Sequence, residues 1–351
     1  MCIVALLAYC EISDAQIRKK SIFYFGLWPK VSTNGKDAEY YTNNFSLNLI
    51  FAHSTNEYGL GISGLVTVVE RNASGIQISG LSLNVEHKMN GISAAFFNSA
   101  TIHNGIQISP FYNNSEVLRG IQIGGFNRTE KLSGIQVGFS NNTGNLANVQ
   151  IGFLNHAKTV SGLQIGIIAN HAVQNDYPIG LINIIKDGEK GVSLTFDEMR
   201  NLTVGFRSGG RVLYGIIGFG VSFIESSTRS VIEGGFGARI NFSHRFRINT
   251  EFAYSGMSKW GPVTITYGDE KPAPKPPDYE ALTINRISIR ILPTFKIVNF
   301  NLFAGLSVNY MQSPHIKNQN LFPHRYLWRN WTSDSLQQIN FGFMAGVQYC
   351  F

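Results

Sequence analysis

The last fourteen residues of the chain, 338–351, alternate between apolar side chains and polar or small ones. Successive side chains of a strand point to opposite sides, so the pattern gives one apolar face and one polar face. The stretch is much longer than the usual globular strand of about 5–6 residues. It predicts a closing strand whose apolar face carries Ile339, Phe341, Phe343, Ala345, Val347, Tyr349 and Phe351.

Similar alternation fills the chain from Asn201 onward, in the segments 202–206, 213–223, 232–242, 246–254, 287–295 and 300–310. Only 15% of all residues are charged, against about 25% in soluble proteins. The alternative, a soluble β-sandwich, has shorter strands and more charge on its outer faces. We therefore predict an all-β chain with an antiparallel transmembrane β-barrel of about eight to ten strands. No run of sequence is long and apolar enough to predict a transmembrane helix.

A second periodicity occupies the chain between about Gly61 and Gly191, where a unit of about 14 residues recurs. Each unit begins with a motif such as Gly-Ile-Gln-Ile-Gly and reaches an Asn about seven residues later. Clear copies start at Gly75, Gly105, Gly120, Gly134 and Gly162. A membrane strand needs about 9–11 residues, so one unit cannot hold a spanning pair. The repeats therefore predict a β-solenoid inserted into the barrel sequence.

Within each repeat the Ile positions fall two apart and the Gln between them faces the other side. Stacked units would place Ile on Ile as a core, and amide side chains on each other as ladders. The predicted ladder residues are Gln107, Gln122, Gln136, Gln150, Gln164, Asn127, Asn141 and Asn155. A flat ladder-lined face of this kind would be available for binding.

These patterns divide the chain into four parts. Residues 1–15 are expected to be the remnant of a signal peptide, because an apolar run precedes small residues at Ser13 and Ala15. Lipidation at Cys10 and a retained segment are the alternatives. Alternation at 23–27 and 45–51 predicts that 16–57 holds the first barrel strand or strands. Residues 58–195 would form the solenoid and 196–351 the remaining barrel.

The polar faces of the predicted barrel strands carry a set of charges. In a barrel of this size the interior is filled by side chains, and buried charges are tolerated when they are paired. We expect a salt-bridged network that stiffens the barrel; a narrow solute path lined by arginines is the alternative. The predicted lumen residues are Glu233, Arg239, Arg245, Arg247, Glu251, Arg286 and Arg290.

The lengths of the connections indicate which end of the barrel faces which side. Connections at 209–210, 243–244 and 298–299 are short, whereas those around 226–227, at 257–280 and at 312–337 are longer. Outer-membrane barrels have short periplasmic turns and longer extracellular loops. Seven strands after the repeats would then place the solenoid outside the cell. An additional strand at 191–199 would reverse this.

Two features carry a resemblance to known proteins. Val347, Tyr349 and the terminal Phe351 resemble the signal that the barrel-assembly machinery reads in closing strands. The repeat 120–127, and the copy Tyr-Pro-Ile-Gly-Leu-Ile-Asn at 177–183, are similar to outer-membrane proteins of Bacteroidota that carry a Gly-Leu-Gln-Ile-Gly surface repeat ahead of a barrel. This resemblance covers most of the chain. It implies an outer-membrane location, with outer-membrane lipid and the assembly machinery as partners, and no settled biochemical activity.

The sequence offers no catalytic signature. Its three cysteines have no metal-binding spacing, and its Gly-rich strings lie inside strands, where they cannot form phosphate loops. We therefore predict no catalytic, cofactor-binding or metal-binding residue. The basic residues are spread along the chain, so nucleic acid is not expected as a partner despite the net charge of +7.

The expected function is non-enzymatic surface display, with binding or adhesion to an extracellular glycan or protein. A small transport barrel or porin, gated or capped by the solenoid, is the alternative. A barrel hydrolase is a third possibility and would require a Ser–His pair on the outer wall.

Overall fold

The computed structural model describes residues 19–146, 148–224, 229–259, 284–314, 322–332 and 335–351. The predicted signal segment, residues 1–15, lies outside them. The chain divides into two compact units, Met1–Gly134 and Ile135–Phe351. Among the described residues no helix is both long and apolar enough to cross a membrane.

The first unit is a stack of parallel strands. Its elements are β1 (Lys19–Trp28), β2 (Val31–Ser32), a 3₁₀ turn (Gly35–Tyr40), β3 (Tyr41–Asn48), β4 (Phe51–Ser63), β5 (Val66–Ser79), β6 (Ser82–Ala94) and the first part of β7 (Phe97–Leu146). β1 pairs in parallel with β3, and each later strand pairs in parallel with the next. The parallel strands are therefore coils of a β-solenoid, and β7 runs through several of them; the two-residue β2 instead pairs antiparallel with β1.

The prediction that 16–57 contributes barrel strands is wrong. Phe23 and Phe25 pair in parallel with Phe45 and Leu47, and β3 continues in parallel to β4. A meander barrel has antiparallel neighbours, so these strands belong to the solenoid. Their alternation misled the prediction because a coil with outward apolar side chains has the same period as a barrel strand.

The second unit begins with further coils of the same kind. The end of β7, from Ile135, pairs in parallel with β8 (Val149–Val160). β8 pairs in parallel with β9 (Leu163–Gln174), and β9 with β10 (Pro178–Ile185). The matched residues are about one repeat apart, as the sequence predicts.

The amide ladders lie inside the coils. All eight predicted ladder residues are buried. Gln150 donates to Gln136 Oε1 at 2.9 Å, and Gln164 donates to Gln150 Oε1 at 2.8 Å. The Asn ladder runs the other way, because each Asn donates to the next coil: Asn141 to Asn155 at 2.9 Å.

The Asn ladder continues beyond Asn155. Asn155 donates to Asn170 at 3.0 Å and to the Ile165 carbonyl at 2.7 Å. In the first unit Gln122 donates to Gln107, and Asn113 to Asn127, in the same two directions. Within each unit, these coils are therefore tied to their neighbours by side chains as well as by backbone.

The expectation that Ile stacks form the core of the solenoid is wrong, and so is the expectation of an exposed ladder. Ile78, Ile108 and Ile123 in the first unit point outward. Leu118 and Leu132 fill the interior beside the amides, and Val69, Val85 and Met89 belong to a buried apolar cluster in earlier coils. The interior accepts Gln and Asn because most of these amides bond to a partner one coil away, which offsets the cost of burying them.

A column of glycines allows the coils of the first unit to stack closely. Gly91, Gly105 and Gly120 adopt positive φ angles of 126°, 130° and 139°. A Cβ on Gly105 would lie 2.1 Å from the carbonyl oxygen of Gly91. Both the backbone conformation and the close approach require glycine, which explains the Gly at the start of each repeat.

Eight strands close the barrel of the second unit. They are β11 (Glu189–Asp197), β12 (Asn201–Gly209), β13 (Leu213–Ser222), β14 (Arg229–Asn241), β15 (Phe246–Lys259), β16 (Ile284–Ile297), β17 (Phe300–Ser313) and β19 (Leu336–Cys350). Each pairs antiparallel with the next, and β11 closes the ring on β19. A short strand, β18 (Trp328–Trp331), pairs with the start of β19.

The fold class is confirmed: the chain is all-β, with a closed antiparallel barrel and a β-solenoid. The count of seven barrel strands after the repeats is wrong, because β11 is an eighth. The predicted boundary at 195 therefore moves to the turn before Glu189. Gly191 pairs with Cys350, so the barrel begins and ends at one end, which we call the near end; the opposite one is the far end.

The outer wall of the barrel is apolar, as predicted. Ile232, Phe236, Ile289, Leu306 and Phe341 are among the most exposed residues of the unit. The charged residues that these strands bury, such as Glu233 and Arg290, point inward, whereas Lys296 near the end of β16 is exposed. The near end has the connections 210–212, 242–245 and 298–299, all of them short. The far end has 198–200, which is equally short, then 223–228 and the two longest, 260–283 and 314–335. This is the arrangement of a transmembrane β-barrel.

Replacing Asn155 with Ala should destabilise the coils of the second unit. The change removes the donor to Ile165 and Asn170 and the acceptor of Asn141. Each buried group that loses its partner costs about 1–3 kcal/mol. Hydrogen exchange of the coil amides measures the loss. Lys158→Ala, at an exposed position of the same coil, is the control; equal effects would contradict a structural role for the ladder.

Acid should loosen the first unit through His103. This side chain is fully buried and bonds to Ser93 Oγ at 3.0 Å. Burial lowers the pKa of His103 from 6.5 to about 4, so its neutral form favours the folded state. The associated stability is complete above pH 6.5 and decreases as the pH falls toward 4, by about 3 kcal/mol in total.

His103→Gln should flatten this pH dependence. Hydrogen exchange of the surrounding coils between pH 6.5 and 4, corrected for the intrinsic exchange rate, is the measurement. His87→Gln, at an exposed position, should behave as wild type. An unchanged pH profile in His103→Gln would refute the assignment.

Candidate functional site: the charged interior of the barrel

Charged side chains fill the barrel in three layers. Six of the seven predicted lumen residues are buried there: Glu233, Arg239, Arg247, Glu251, Arg286 and Arg290. Their strands place them inside because each lies one residue from an outward apolar neighbour. The layers are described below from the middle of the barrel outward.

Glu251 on β15 is the centre of the middle layer. Its Oε1 accepts bonds from Arg207 Nε at 3.0 Å and from the Tyr214 hydroxyl at 2.9 Å. Its Oε2 accepts from Arg290 at 3.3 Å. Arg290 also forms a two-fold pair with Glu233, at 3.0 and 2.5 Å. Two carboxylates and two guanidiniums thus neutralise one another across four strands, which offsets the cost of burying each charge.

The near-end layer is built around Glu189. Arg247 donates to both of its oxygens, at 2.8 and 2.7 Å, and Asn301 adds a bond of 3.1 Å. Arg239 lies 3.8 Å from the same carboxylate, and its guanidinium stacks 4.3 Å from the Tyr214 ring centre. The tyrosine thereby links the near-end layer to the middle one.

The far-end layer pairs Arg286 with Asp197 at 2.7 Å. Arg286 also donates to Ser255 at 3.1 Å. Glu198 lies 3.5 Å from Arg286, and it accepts the Phe343 backbone N–H at 3.1 Å. That N–H belongs to β19 just beyond the last pair with β11, so Glu198 satisfies a backbone donor at the seam of the barrel.

An apolar cluster fills the interior beyond the far-end layer. It combines the inward ends of the strands with two loop residues, and its members are Met199, Val231, Met257, Ile284, Met311, Phe322 and Leu336. All of them are buried. Together with the paired charges, this cluster makes the barrel interior a packed core.

Arg245 was predicted in the lumen, and that prediction is wrong. It lies in the exposed turn between β14 and β15, beside an open cavity of about 1040 Å³ at the near end. The cavity is also lined by Glu189, Arg239, Arg247 and Lys296. The strand alternation ends at Phe242 and restarts at Phe246. Arg245 lies in the turn between them, where the alternation does not predict which way a side chain points.

Five members of the network were not predicted from the sequence: Glu189, Asp197, Glu198, Arg207 and Tyr214. Arg207 directly follows the outward Phe206 in a predicted strand, so the alternation of that strand could have placed Arg207 in the lumen. Glu189 was hidden because most of β11 was predicted to belong to the solenoid, and Asp197 and Glu198 lie before the first predicted barrel strand. Val192, Leu194 and Phe196 alternate outward along β11, and this was the available signal.

The closing-strand residues point outward, as the alternation predicts. Tyr349 and Phe351 are exposed, and Val347 is half-buried. The Tyr349 ring lies 5.2 Å from that of Phe300 on the neighbouring strand. Their reading by the assembly machinery stays a prediction.

The carboxylates and the arginines inside the barrel neutralise one another's charge. Each carboxylate of the three layers has an arginine within 4 Å. Such groups hold fixed hydrogen bonds in a packed interior and stabilise the barrel that contains them. Among the described residues no group of acidic, His and Cys side chains has the arrangement of a metal site.

Comparison with known proteins gives structural likeness only. No family model matches the chain, and no curated protein matches it significantly. A chain from the de novo design of transmembrane β-barrels matches 46% of this chain and 93% of its own, at 13% identity and a TM-score of 0.22. The Yersinia pestis outer membrane protein Ail, in a phospholipid bilayer nanodisc, matches 47% of this chain and 99% of its own, at 10% identity and a TM-score of 0.25. TM-scores this low carry no argument, so the assignment of the barrel rests on the pairing of its own strands.

Glu251→Ala should strongly destabilise the barrel. It leaves Arg207 without its carboxylate partner and weakens the neutralisation of Arg290, both fully buried. Removing one member of a buried ion pair costs about 3–5 kcal/mol. Urea unfolding of the barrel in lipid vesicles measures the change. Arg245→Ala, in the exposed turn, should leave the midpoint unchanged; a normal midpoint for Glu251→Ala would refute the role of the network.

Proposed function

We propose that this chain is a non-enzymatic outer-membrane protein whose barrel anchors a β-solenoid at the periplasmic side of the membrane. The distribution of polarity supports the anchor. The barrel carries exposed Phe, Ile and Leu outside and paired charges inside, which is the reverse of a soluble protein and suits a lipid environment. Its longer strands have 13–15 residues, more than the 9–11 or so that span a bilayer.

The pairing of Gly191 with Cys350 supports the proposal that the solenoid lies on the periplasmic side of the membrane. The solenoid enters the barrel at β11, so it joins at the near end, where the carboxy terminus and the short connections lie. Short turns are periplasmic in outer-membrane barrels. Surface display was expected because seven strands after the repeats would place the solenoid outside the cell. With eight strands, the solenoid and the carboxy terminus lie at the same end of the barrel.

Anchoring fits the interior better than transport does. The ion-pair layers and the apolar cluster occupy the space that a solute would need. Opening a path would require breaking buried pairs, each of which is costly to separate. The alternative of a porin gated by the solenoid is therefore disfavoured.

A site-specific protease can test the side. One variant carries a cleavage sequence inserted at the bend Ser161–Gly162, between β8 and β9. The control carries the same sequence in the far-end connection 260–283. Added to intact cells, the protease should cut the control and leave the solenoid variant whole until the outer membrane is opened. Cleavage of the solenoid variant in intact cells would restore surface display.

A further inference from the structure

The coils of the second unit expose an apolar face. Ile151, Ile165 and Ile179 are in register on β8, β9 and β10, and all three point outward. Phe153, Ile167 and Leu181 follow them beside the matched glycines of each coil and are 41%, 57% and 41% exposed. We call these six residues the apolar face. A soluble protein rarely leaves a continuous apolar surface of this kind uncovered.

The other outward side of the same coils is polar. Lys158, Thr159, His171 and Gln174 are exposed there, and Val173 and Ile184, which pairs with His171, are large apolar exceptions. The coils are therefore amphipathic across their width, with buried amides between the two faces. This distribution suits a body with one side in water and the other against an apolar phase.

The apolar face continues onto the outer wall of the barrel. Gly215 is one of the alternate residues of β13 that face the outside of the barrel. A Cβ on Gly215 would lie 2.1 Å from the carbonyl oxygen of Gly180 and 2.3 Å from that of Leu181. Leu181 Cδ2 also lies 3.6 Å from the position of a Cβ on Gly234, an outward residue of β14. The last coil thus packs against the outer, apolar side of the barrel.

Contacts on β12 place this packing at the near-end rim. The Asn183 backbone N–H donates to Ser208 Oγ at 2.9 Å, and Ser208 lies in the outward set of β12, one residue before its end. Phe236, which pairs with Gly215, is 52% exposed. The wall beside the last coil is therefore free apolar surface of the kind that lipid covers.

We propose that the apolar face of these coils lies on the lipid surface of the membrane that holds the barrel. The inference rests on the proposed membrane barrel. Lipid is the occupant that the geometry favours, because the face begins where the lipid-facing wall ends and one apolar phase can cover both. A second copy of the chain would cover the face only by excluding lipid from the adjoining wall. The coils would then form a shelf along the membrane, with Lys158 and His171 toward the water.

Fluorescence quenching in vesicles tests this with the full-length chain. The native cysteines are replaced by serine, and one cysteine is introduced for an environment-sensitive dye at Ile167→Cys. Lys158→Cys, on the polar face of the neighbouring coil, is the matched control. Vesicles of phosphatidylcholine contain either plain lipid or lipid with a spin-labelled acyl chain, and iodide serves as the quencher in water.

The dye at Ile167→Cys should lose most of its fluorescence to the spin-labelled lipid and be protected from iodide. The dye at Lys158→Cys should show the opposite. Quenching of the Ile167→Cys dye by iodide would place the face in water and overturn the proposal. Protection from both quenchers, with a doubled mass of the reconstituted protein, would assign the face to a second copy and also overturn it. Ile151→Cys repeats the test if Ile167→Cys does not fold.

A third labelled position separates this proposal from the anchor itself. Leu306, on the outer wall of β17, is 72% exposed. A dye at Leu306→Cys should be quenched by the spin-labelled lipid. Quenching there together with iodide access at Ile167→Cys would leave the membrane barrel standing and refute the lipid-bound coils. Iodide access at Leu306→Cys would refute the membrane barrel and, with it, this proposal.

Discussion

Polar side chains that bond to one another inside a shell of strands are the interaction on which both parts of this structure depend. In the barrel they are ion pairs, with Glu251 bonded to Arg207, Arg290 and Tyr214. In the coils they are amide ladders such as Gln136–Gln150–Gln164. In both, most of these buried polar groups have partners, so polar side chains share the interior with smaller apolar clusters. Many of the large apolar residues then lie on the outside.

Alternation predicts the barrel well because a period of two fixes the face of every residue once one face is known. The strands β13 to β17 and β19 were found in this way. The same parity placed Glu233, Glu251 and Arg290 inside before any contact was known. Their partners were harder to foresee, because pairing depends on which strands are neighbours and on how far each is shifted.

The errors come from the same source. Local alternation does not record whether a neighbouring strand is parallel or antiparallel, so Phe23 and Phe45 were assigned to the barrel when their strands are coils. For the repeats, the prediction placed Ile inside and Gln outside, as expected for a protein surrounded by water. The structure has the opposite arrangement because a coil only a few residues wide can satisfy its amides with the coils on either side.

The opposite directions of the two amide ladders have an electrostatic consequence. Gln164 donates toward the preceding coil, whereas Asn155 donates toward the following one. Each side-chain amide is a dipole, and a column of amides aligned in one direction would accumulate potential with length. Two columns that point in opposite directions largely cancel, so adding a coil adds hydrogen bonds without adding a net dipole along the stack. The number of repeats can then change by whole coils with little electrostatic penalty.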